Sequence, residues 1–290
     1  MQIGLVLSGG GVKGAAHIGV LKALEEENIN INCISGTSSG SIVASLYACG
    51  YSPTQIYYIF KRYCKCITDY DKCIPFKVLN TLFTGKIKLK SLAKGNNIEC
   101  IIHNVCCRKR IYDISDLNIP CVIPAVDIVD GTIVYYCSRK IESFRNTTTY
   151  EDKPEYIYSG RISDIVRAST AFPGVFAPKR IGNHLLVDGG VRVNSPVTAL
   201  KNLRKNNEKI FVIYFEKSNN NVIPNNIIET AVKSFDIMGH EINEWEIRQA
   251  DYFLDIESRN IGLLDVSKID YMVNLGYNLT KKYIIEHMKE

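Results

Sequence analysis

The sequence predicts an α/β fold built around a mostly parallel sheet. Residues 3–7 form a short apolar run that leads into a glycine-rich turn at 8–11, and a segment with helical spacing follows. Residues 29–35 form a second run, which leads directly into the turn at 36–40 and a second helical segment. This repeated order of strand, turn and helix is typical of parallel sheets, whose chemistry lies at the carboxyl ends of the strands.

The composition is that of an ordinary globular chain. With 290 residues, 46% hydrophobic positions and a net charge of +5, the chain can bury a large core. We expect one domain over residues 1–290, since no segment has the composition of a linker. The basic residues are spread along the chain, and the densest group, Arg108-Lys109-Arg110, is interpreted as a solvated loop. We therefore expect no nucleic-acid partner.

The sequence carries no pattern for export or membrane insertion. Its first residues lack the basic start and longer apolar stretch of a signal peptide, and no apolar run approaches the roughly 20 residues that span a bilayer. We expect a cytoplasmic protein whose membrane contact, if it has one, is peripheral.

The cysteines favour reduced, buried thiols over a metal site. All ten lie between Cys33 and Cys137, and none is arranged as C-x-x-C. Cys100-x-x-His103 and Cys64-x-Cys66 are fragments of ligand patterns without a second pair at metal-site spacing. The sequence predicts neither a metal nor another cofactor.

The helices that follow the two turns are supported by spacing and capping. Ile18, Leu21 and Leu24 recur on one face of the first helix, and residues 41–48 are predicted to form the second. Ser52-Pro53 combines an N-cap residue with proline at the first helical position, which predicts a third helix. That helix has a basic face, which we interpret as solvated, with lipid headgroups as the alternative; its residues are Lys61, Arg62 and Lys65.

The second half of the chain contains more strands and a helical end. Residues 122–127 and 132–136 are predicted to be strands on either side of the turn Asp130-Gly131. Residues 217–226, rich in asparagine, are expected to form a surface loop. Residues 227–290 are expected to be mainly helical.

The first glycine turn can be compared with two known ligand-binding patterns. Gly9-x-Gly11-x-x-Gly14 satisfies the dinucleotide-binding pattern, but that site needs an acidic residue at the end of the second strand, where this chain has Ser35. A phosphate-binding P-loop is not supported either, since no Lys-Ser/Thr pair follows Gly14. The turn therefore remains available for another role.

The second glycine turn has the pattern of a nucleophile elbow. The pentapeptide Gly36-Thr37-Ser38-Ser39-Gly40 matches G-x-S-x-G, which chance supplies in roughly one such chain in ten. Its position between a strand and a helix strengthens the interpretation, because an elbow needs a tight turn at that point. Ser38, and not Ser39, is the residue framed by glycines.

A serine needs a base to take its proton. None of the five histidines lies in a motif that assigns it this role, and His17 and His184 are interpreted as structural. Asp188, where an apolar strand runs into Gly189-Gly190, is the stronger candidate. Asp-Gly is also an ordinary turn dipeptide, which taken by itself is the better explanation of the residue.

Taken together, the glycine turn at 9–14, the Ser38 elbow and Asp188 resemble the patatin-like phospholipase family, with the bacterial single-domain members looking most similar. The likeness extends through residues 167–176, 188–197 and 274–277, and so covers essentially the whole chain. The resemblance implies a three-layer α/β/α sandwich.

The resemblance also implies a chemistry and a site. Ser38 would pair with Asp188 without a histidine and form an acyl-enzyme, and the amides of Gly9, Gly10 and Gly11 would form the oxyanion hole. The supporting residues that it implies are Lys13, Gly36, Gly40, Gly189 and Gly190. The activity expected from it is hydrolysis of phospholipids or other lipid esters, of phospholipase A or lysophospholipase type. Alternatives are a thioesterase or acyltransferase with the same dyad, and a non-catalytic or dinucleotide-binding protein. The sequence does not indicate the oligomeric state.

Overall fold

The structure is a computed structural model, and it describes residues 1–67, 95–141, 153–204, 208–215, 243–258, 261–262 and 265–288, with positions 230, 234, 237 and 239. The strands are β1 (Gln2–Leu7), β2 (Asn30–Gly36), β3 (Cys121–Asp127), β4 (Ile133–Cys137), β5 (Glu155–Ile157), β6 (Lys179–Ile181), β7 (His184–Asp188), β8 (Lys209–Tyr214) and β9 (Tyr252–Asp255). The helices are α1 (Ala16–Glu26), α2 (Ser39–Ala48), α3 (Pro53–Ile67), α4 (Asn96–Arg108), α5 (Ile162–Ser169), α6 (Val197–Leu203) and α7 (Ile269–His287).

The strands form one mixed sheet with a parallel centre. Its order is β5-β4-β3-β2-β1-β8-β9, and neighbours from β3 to β9 along this path run parallel. Strand β4 is antiparallel to β3, and so is β7, which occupies the edge of β3 beyond the end of β2. Strands β2 and β7 therefore point toward each other, so the last residue of β7 comes close to the turn after β2.

Both faces of the sheet are covered, which confirms the three-layer α/β/α sandwich. Leu5 and Leu7 of β1 pack into a large core with the residues of α1, α2 and α3. Val6, which points to the other face, joins a smaller core with Val197 and Leu200 of α6. This alternation follows from the two-residue period of a strand.

Helix α7 packs against α1 with almost no space between the backbones. A Cβ atom on Gly19 would lie 2.0 Å from the carbonyl oxygen of Val273, and one on Gly276 would lie 2.1 Å from that of Ala16. The chain end therefore supports the helix that follows the first glycine turn.

Most of the expected elements are present, with shifted boundaries. Helix α2 begins at Ser39 rather than residue 41, and the stretch expected to be mainly helical also contributes the edge strand β9. Arg108 is the last residue of α4 and not part of a loop. The loop expected at 217–226, like the side chain of Lys65, lies outside the described residues.

Among the described helices, none is long and apolar enough to cross a bilayer. Of the eight described cysteines, only Cys100 is exposed and Cys107 is partly so.

Candidate active site

The glycine turn after β1 passes directly beside the second turn. A Cβ atom on Gly9 would lie 2.5 Å from Oδ1 of Asn194 and 3.0 Å from Cβ of Ser38, so no larger residue fits there. One on Gly10 would lie 2.7 Å from the ring of Phe215. The absence of side chains thus lets the backbone approach Ser38.

Two of the three amides in this turn are available to a ligand. The Gly9 N–H donates to Oδ1 of Asn194 at 2.9 Å and to the carbonyl oxygen of the same residue at 3.3 Å. Among the described residues, no acceptor bonds to the N–H of Gly10 or Gly11, which lie at the start of a 3-10 helix. Gly11 has a φ of +59°, a conformation that favours glycine. The expected trio of donors is therefore reduced to two in this conformation.

Ser38 has the strained backbone of a nucleophile elbow. Its φ of +53° and ψ of −122° are rarely adopted by a residue with a side chain, and such strain costs about 1–3 kcal/mol. The turn closes because two glycines allow it. A Cβ atom on Gly36 would lie 2.3 Å from the carbonyl oxygen of Gly40, and one on Gly40 would lie 2.2 Å from that of Leu7.

Hydrogen bonds from distant segments hold the elbow. The Ser38 N–H donates to Oγ of Ser169, at the end of α5, at 3.2 Å. The Thr37 hydroxyl donates to the carbonyl oxygen of Val193 at 3.0 Å. Ser38 itself remains partly exposed, whereas Ser39 is buried with 1% exposure. Only the serine framed by glycines is accessible to a substrate.

Asp188 ends β7 in a buried position next to the elbow. It is 2% exposed, and its backbone pairs with Ala125 of β3. Oδ1 accepts the N–H of Gly190 at 2.8 Å, while Oδ2 has no partner of full hydrogen-bond geometry among the described residues. Burial raises the pKa of Asp188 to about 7, although the adjoining Ser38 hydroxyl and the Gly190 amide act to lower it.

The remaining supporting residues have structural roles. A Cβ atom on Gly189 would lie 2.7 Å from the carbonyl oxygen of Pro124, so the turn after Asp188 can pack on β3 only with glycine there. Lys13 is partly buried in the 3-10 helix, where its N–H donates to the carbonyl oxygen of Gly10 at 3.2 Å.

Asn194 and Ser169 received no role from the sequence, although both lie in segments that carry the family resemblance. Asn194 accepts the Gly9 N–H, and its own amide donates to the Gly9 carbonyl at 3.4 Å. It thereby ties the turn after Asp188 to the first glycine turn. Asparagine and serine are common in turns, so only the fold reveals these contacts.

The four described histidines contact neither Ser38 nor Asp188 through hydrogen bonds. His17 is buried, its Nε2 lies 2.9 Å from the carbonyl oxygen of Ser8, and burial lowers its pKa to about 4. His184 contacts Asp127 at 2.9 Å. Both have the structural contacts expected of them. His103 lies on α4 beside Cys107, and His287 ends α7, whereas His240 lies outside the described residues.

No group of three or more side chains suited to a metal ion occurs in the described part of the chain. Cys100 and His103 share α4, and the side chain of Cys66 lies outside the described residues. The arrangement at Ser38 supports nucleophilic chemistry: a partly exposed hydroxyl, a buried carboxyl beside it, and two unpaired amides nearby.

Two solved structures share the fold. VipD from Legionella pneumophila has a TM-score of 0.51 and 15% identity, over 98% of this chain and 67% of that one. ExoU from Pseudomonas aeruginosa, in complex with SpcU, has the same score and identity over 100% of this chain and 53% of that one. At this identity the likeness concerns the fold alone.

Sequence comparisons are more specific. Lysophospholipase NTE1 from Saccharomyces cerevisiae and from Debaryomyces hansenii are each 31% identical over 200 residues, which are 69% of this chain. The chain spans only 10% and 11% of the length of these relatives. The model of a family described as patatin-like phospholipase matches residues 5–201. The match includes both glycine turns, Ser38 and Asp188, and the chain therefore belongs to the patatin-like phospholipase family.

Proposed function

We propose that this chain, as one domain over residues 1–290, is a lipid acyl hydrolase of phospholipase A or lysophospholipase type that uses Ser38 and Asp188 as a catalytic dyad. The observation that supports it best is the buried Asp188 carboxyl, whose pKa burial raises to about 7 and which adjoins the elbow serine. A carboxylate with an ordinary pKa near 4 is a weak base toward an alcohol, and burial strengthens it.

In the first step, Oδ2 of Asp188 takes the proton of the Ser38 hydroxyl while Oγ attacks the ester carbonyl. Oδ2 suits this task, because Oδ1 is already bonded to the Gly190 amide. The distance between hydroxyl and base need not be ideal without a substrate, since such bonds often tighten only in the reacting complex.

The amides of Gly10 and Gly11 would stabilise the negative charge that develops on the carbonyl oxygen. Each such donor is worth about 3 kcal/mol in the transition state. We assign Gly9 a different role, since its N–H is bound to Asn194 and holds the turn against the elbow.

In the second step, Asp188 returns the proton to the departing alcohol, which leaves the acyl group on Ser38. Water then enters, Asp188 accepts a proton from it, and the resulting hydroxide attacks the acyl ester. Collapse of the second intermediate releases the fatty acid and restores the Ser38 hydroxyl with the proton held by Asp188.

The family and its named relatives support the substrate class that we propose. The yeast relatives are lysophospholipases by name, and a lysophospholipid or phospholipid is accordingly the substrate that we propose. Because such lipids occur in bilayers and micelles, we also propose peripheral contact between this protein and a lipid surface.

The test uses the purified chain with lysophosphatidylcholine and with phosphatidylcholine, with products identified by mass spectrometry. Ser38→Ala and Asp188→Asn should abolish fatty-acid release, and Ser38→Ala should abolish labelling by a fluorophosphonate. Ser39→Ala is the matched control, because it removes the neighbouring hydroxyl from the same turn and should retain activity.

Full activity in either dyad variant would refute the proposal. Transfer of the acyl group to an added alcohol, or preferential cleavage of an acyl thioester, would instead indicate the acyltransferase or thioesterase alternative with the same dyad.

A further inference from the structure

The turn between β3 and β4 presents two apolar side chains to solvent. Ile128 is 51% exposed and Val129 is 76% exposed. Among the exposed large hydrophobic residues of the described chain, they are the only two that are adjacent in sequence. Such a pair at the end of a hairpin has no role in the core and needs another explanation.

This hairpin tip projects from the edge of the sheet that carries Ser38. Strand β3 pairs with β2 at Val122, with Asp188 at Ala125, and continues outward to Asp127. Ile128 lies three residues beyond Ala125, which at strand spacing is about 10 Å farther out than the backbone of Asp188. A flat surface that approaches the candidate site from this side therefore meets the tip.

Four N–H groups and one carbonyl group of the tip are bonded within the protein. Lipid offers no partner to N–H and C=O groups, so these bonds lower the cost of bringing the tip into contact with it. The donors and acceptors are as follows: Ile128 N–H to the Leu185 carbonyl at 2.9 Å, Val129 N–H to Asp127 Oδ1 at 3.0 Å, Gly131 N–H to the Asp127 carbonyl at 2.8 Å, Thr132 N–H to Asp130 Oδ1 at 2.9 Å, and Arg192 to the Gly131 carbonyl at 2.7 Å.

Cationic and acidic side chains both lie around the tip. The Asp127 carboxylate is hydrogen-bonded to His184 at 2.9 Å, and the exposed Asp130 carboxylate accepts the Thr132 N–H at 2.9 Å. Arg192 lies at the base of the tip, and the exposed Arg180 lies on the neighbouring hairpin formed by β6 and β7. Guanidinium groups beside an apolar tip are complementary to phosphate groups above acyl chains.

We propose that the tip formed by Ile128 and Val129 docks this protein on a lipid bilayer by inserting both side chains below the headgroups. The insertion orients the Ser38 side of the sheet toward the membrane. The inference rests on the proposed function, because a lipid substrate gives this protein a reason to bind a membrane. The binding itself does not require catalysis.

The docking test measures binding without hydrolysis. In a Ser38→Ala background, cosedimentation is measured with phosphatidylcholine vesicles that contain a minor fraction of phosphatidylglycerol. The double variant Ile128→Asn with Val129→Asn should bind at least about tenfold more weakly, because two apolar side chains lose their transfer from water. Circular dichroism and Tm verify that the double variant is folded.

A matched control lies at the other end of the molecule. Ile285 is 63% exposed on α7, close to Lys281, which pairs with Glu27 in the turn that precedes β2. Ile285→Asn changes the same chemistry at the edge opposite Ser38 and should leave vesicle binding unchanged within about twofold, since its side chain is not inserted.

Equal vesicle binding by the parent and the tip variant would overturn the inference, and so would a failure of the parent to bind. Loss of binding in Arg62→Glu with no effect of the tip variant would place the contact on α3 instead. Hydrolysis of a short-chain ester below its micellar concentration should be unaffected in the tip variant with Ser38 intact. Absence of hydrolysis in that assay would refute the proposed function without affecting the vesicle-binding result. Absence of vesicle binding would refute the docking inference without affecting the hydrolysis result.

Discussion

Two regions of this molecule bury a carboxylic acid beside a hydroxyl, and only one resembles an active site. Burial raises the pKa of Asp188 and of Glu246 to about 7 each. Asp188 adjoins the hydroxyl of Ser38, and Glu246 adjoins that of Thr198, whose N–H it also accepts at 2.8 Å. Each acid has a second oxygen without a partner of full hydrogen-bond geometry in the described chain.

The difference lies in what surrounds the two pairs. Thr198 is 1% exposed in the regular helix α6, and Glu246 is 1% exposed beside the start of that helix. Ser38 is partly exposed at a strained turn, with the unpaired amides of Gly10 and Gly11 close by. A raised pKa and a neighbouring hydroxyl therefore do not define a catalytic pair. Access to substrate and donors for the developing charge are needed as well.

The largest expected effect is on turnover. Ser38→Ala and Asp188→Asn should each lower kcat by about 10⁴, the scale seen when a member of a catalytic unit is removed. Thr198→Val and Glu246→Gln should keep kcat within about threefold, since neither residue reaches the substrate. Initial rates with lysophosphatidylcholine measure both. A comparable loss in Glu246→Gln would break the comparison, because the two acids would then act alike.

A second effect should come from the contact between Asn194, in the turn after Asp188, and the first glycine turn. Asn194→Ala removes the side-chain acceptor of the Gly9 N–H and leaves only the longer bond to the backbone carbonyl oxygen of residue 194. It should lower kcat by about 10², as expected when a catalytic group moves by about 1 Å. KM should change little. Fluorophosphonate labelling of Ser38 should slow in parallel, with Ser39→Ala as the unaffected reference. Unchanged kinetics would show that the first glycine turn keeps its position without Asn194.

The pH dependence distinguishes the two acids directly. Asp188 must be ionised to accept a proton, and its pKa is raised to about 7. The value of kcat/KM should therefore fall by about tenfold per pH unit below pH 7. Glu246→Gln should retain this acid limb. A midpoint near 4 would contradict the assignment, since it would mean that the base has an ordinary carboxyl pKa.

The smallest expected effect is on stability, where the two acids should behave alike. The Asp188 carboxyl has a higher pKa in the folded chain than its ordinary value of 3.8, so the folded state holds a proton that the unfolded state releases. Stability is therefore lost as pH rises from about 4 to about 7.

Asp188→Asn removes that loss and should raise Tm by several degrees at about pH 8.5, with little change at about pH 4. Glu246→Gln should shift Tm in the same direction, because burial also raises its pKa. Thermal unfolding followed by circular dichroism at both pH values measures this. A lower Tm for Asp188→Asn at the higher pH would contradict the role of burial.

The sequence by itself determined the two glycine turns of the candidate site and the strands and helices next to them. The apolar run at 3–7 and the glycine turn after it formed β1 and a 3-10 helix, and the elbow lies between β2 and α2 as the pattern predicted. These features depend on residues that are neighbours in the chain. Glycine at 36 and 40 is required by contacts within the elbow and with the end of β1, so the pattern carries a strong physical constraint.

Tertiary structure decided which distant residues contact these two turns. Asp188 reaches the elbow because β7 continues the edge of β3 where β2 ends, and an Asp-Gly turn gives no local indication of this. Asn194 binds Gly9, and Ser169 binds the Ser38 amide. Strand β9, only four residues long, adopts its conformation by pairing with β8. The raised pKa of Asp188 likewise arises from burial by packed segments, and burial is a property of the whole fold rather than of any short sequence.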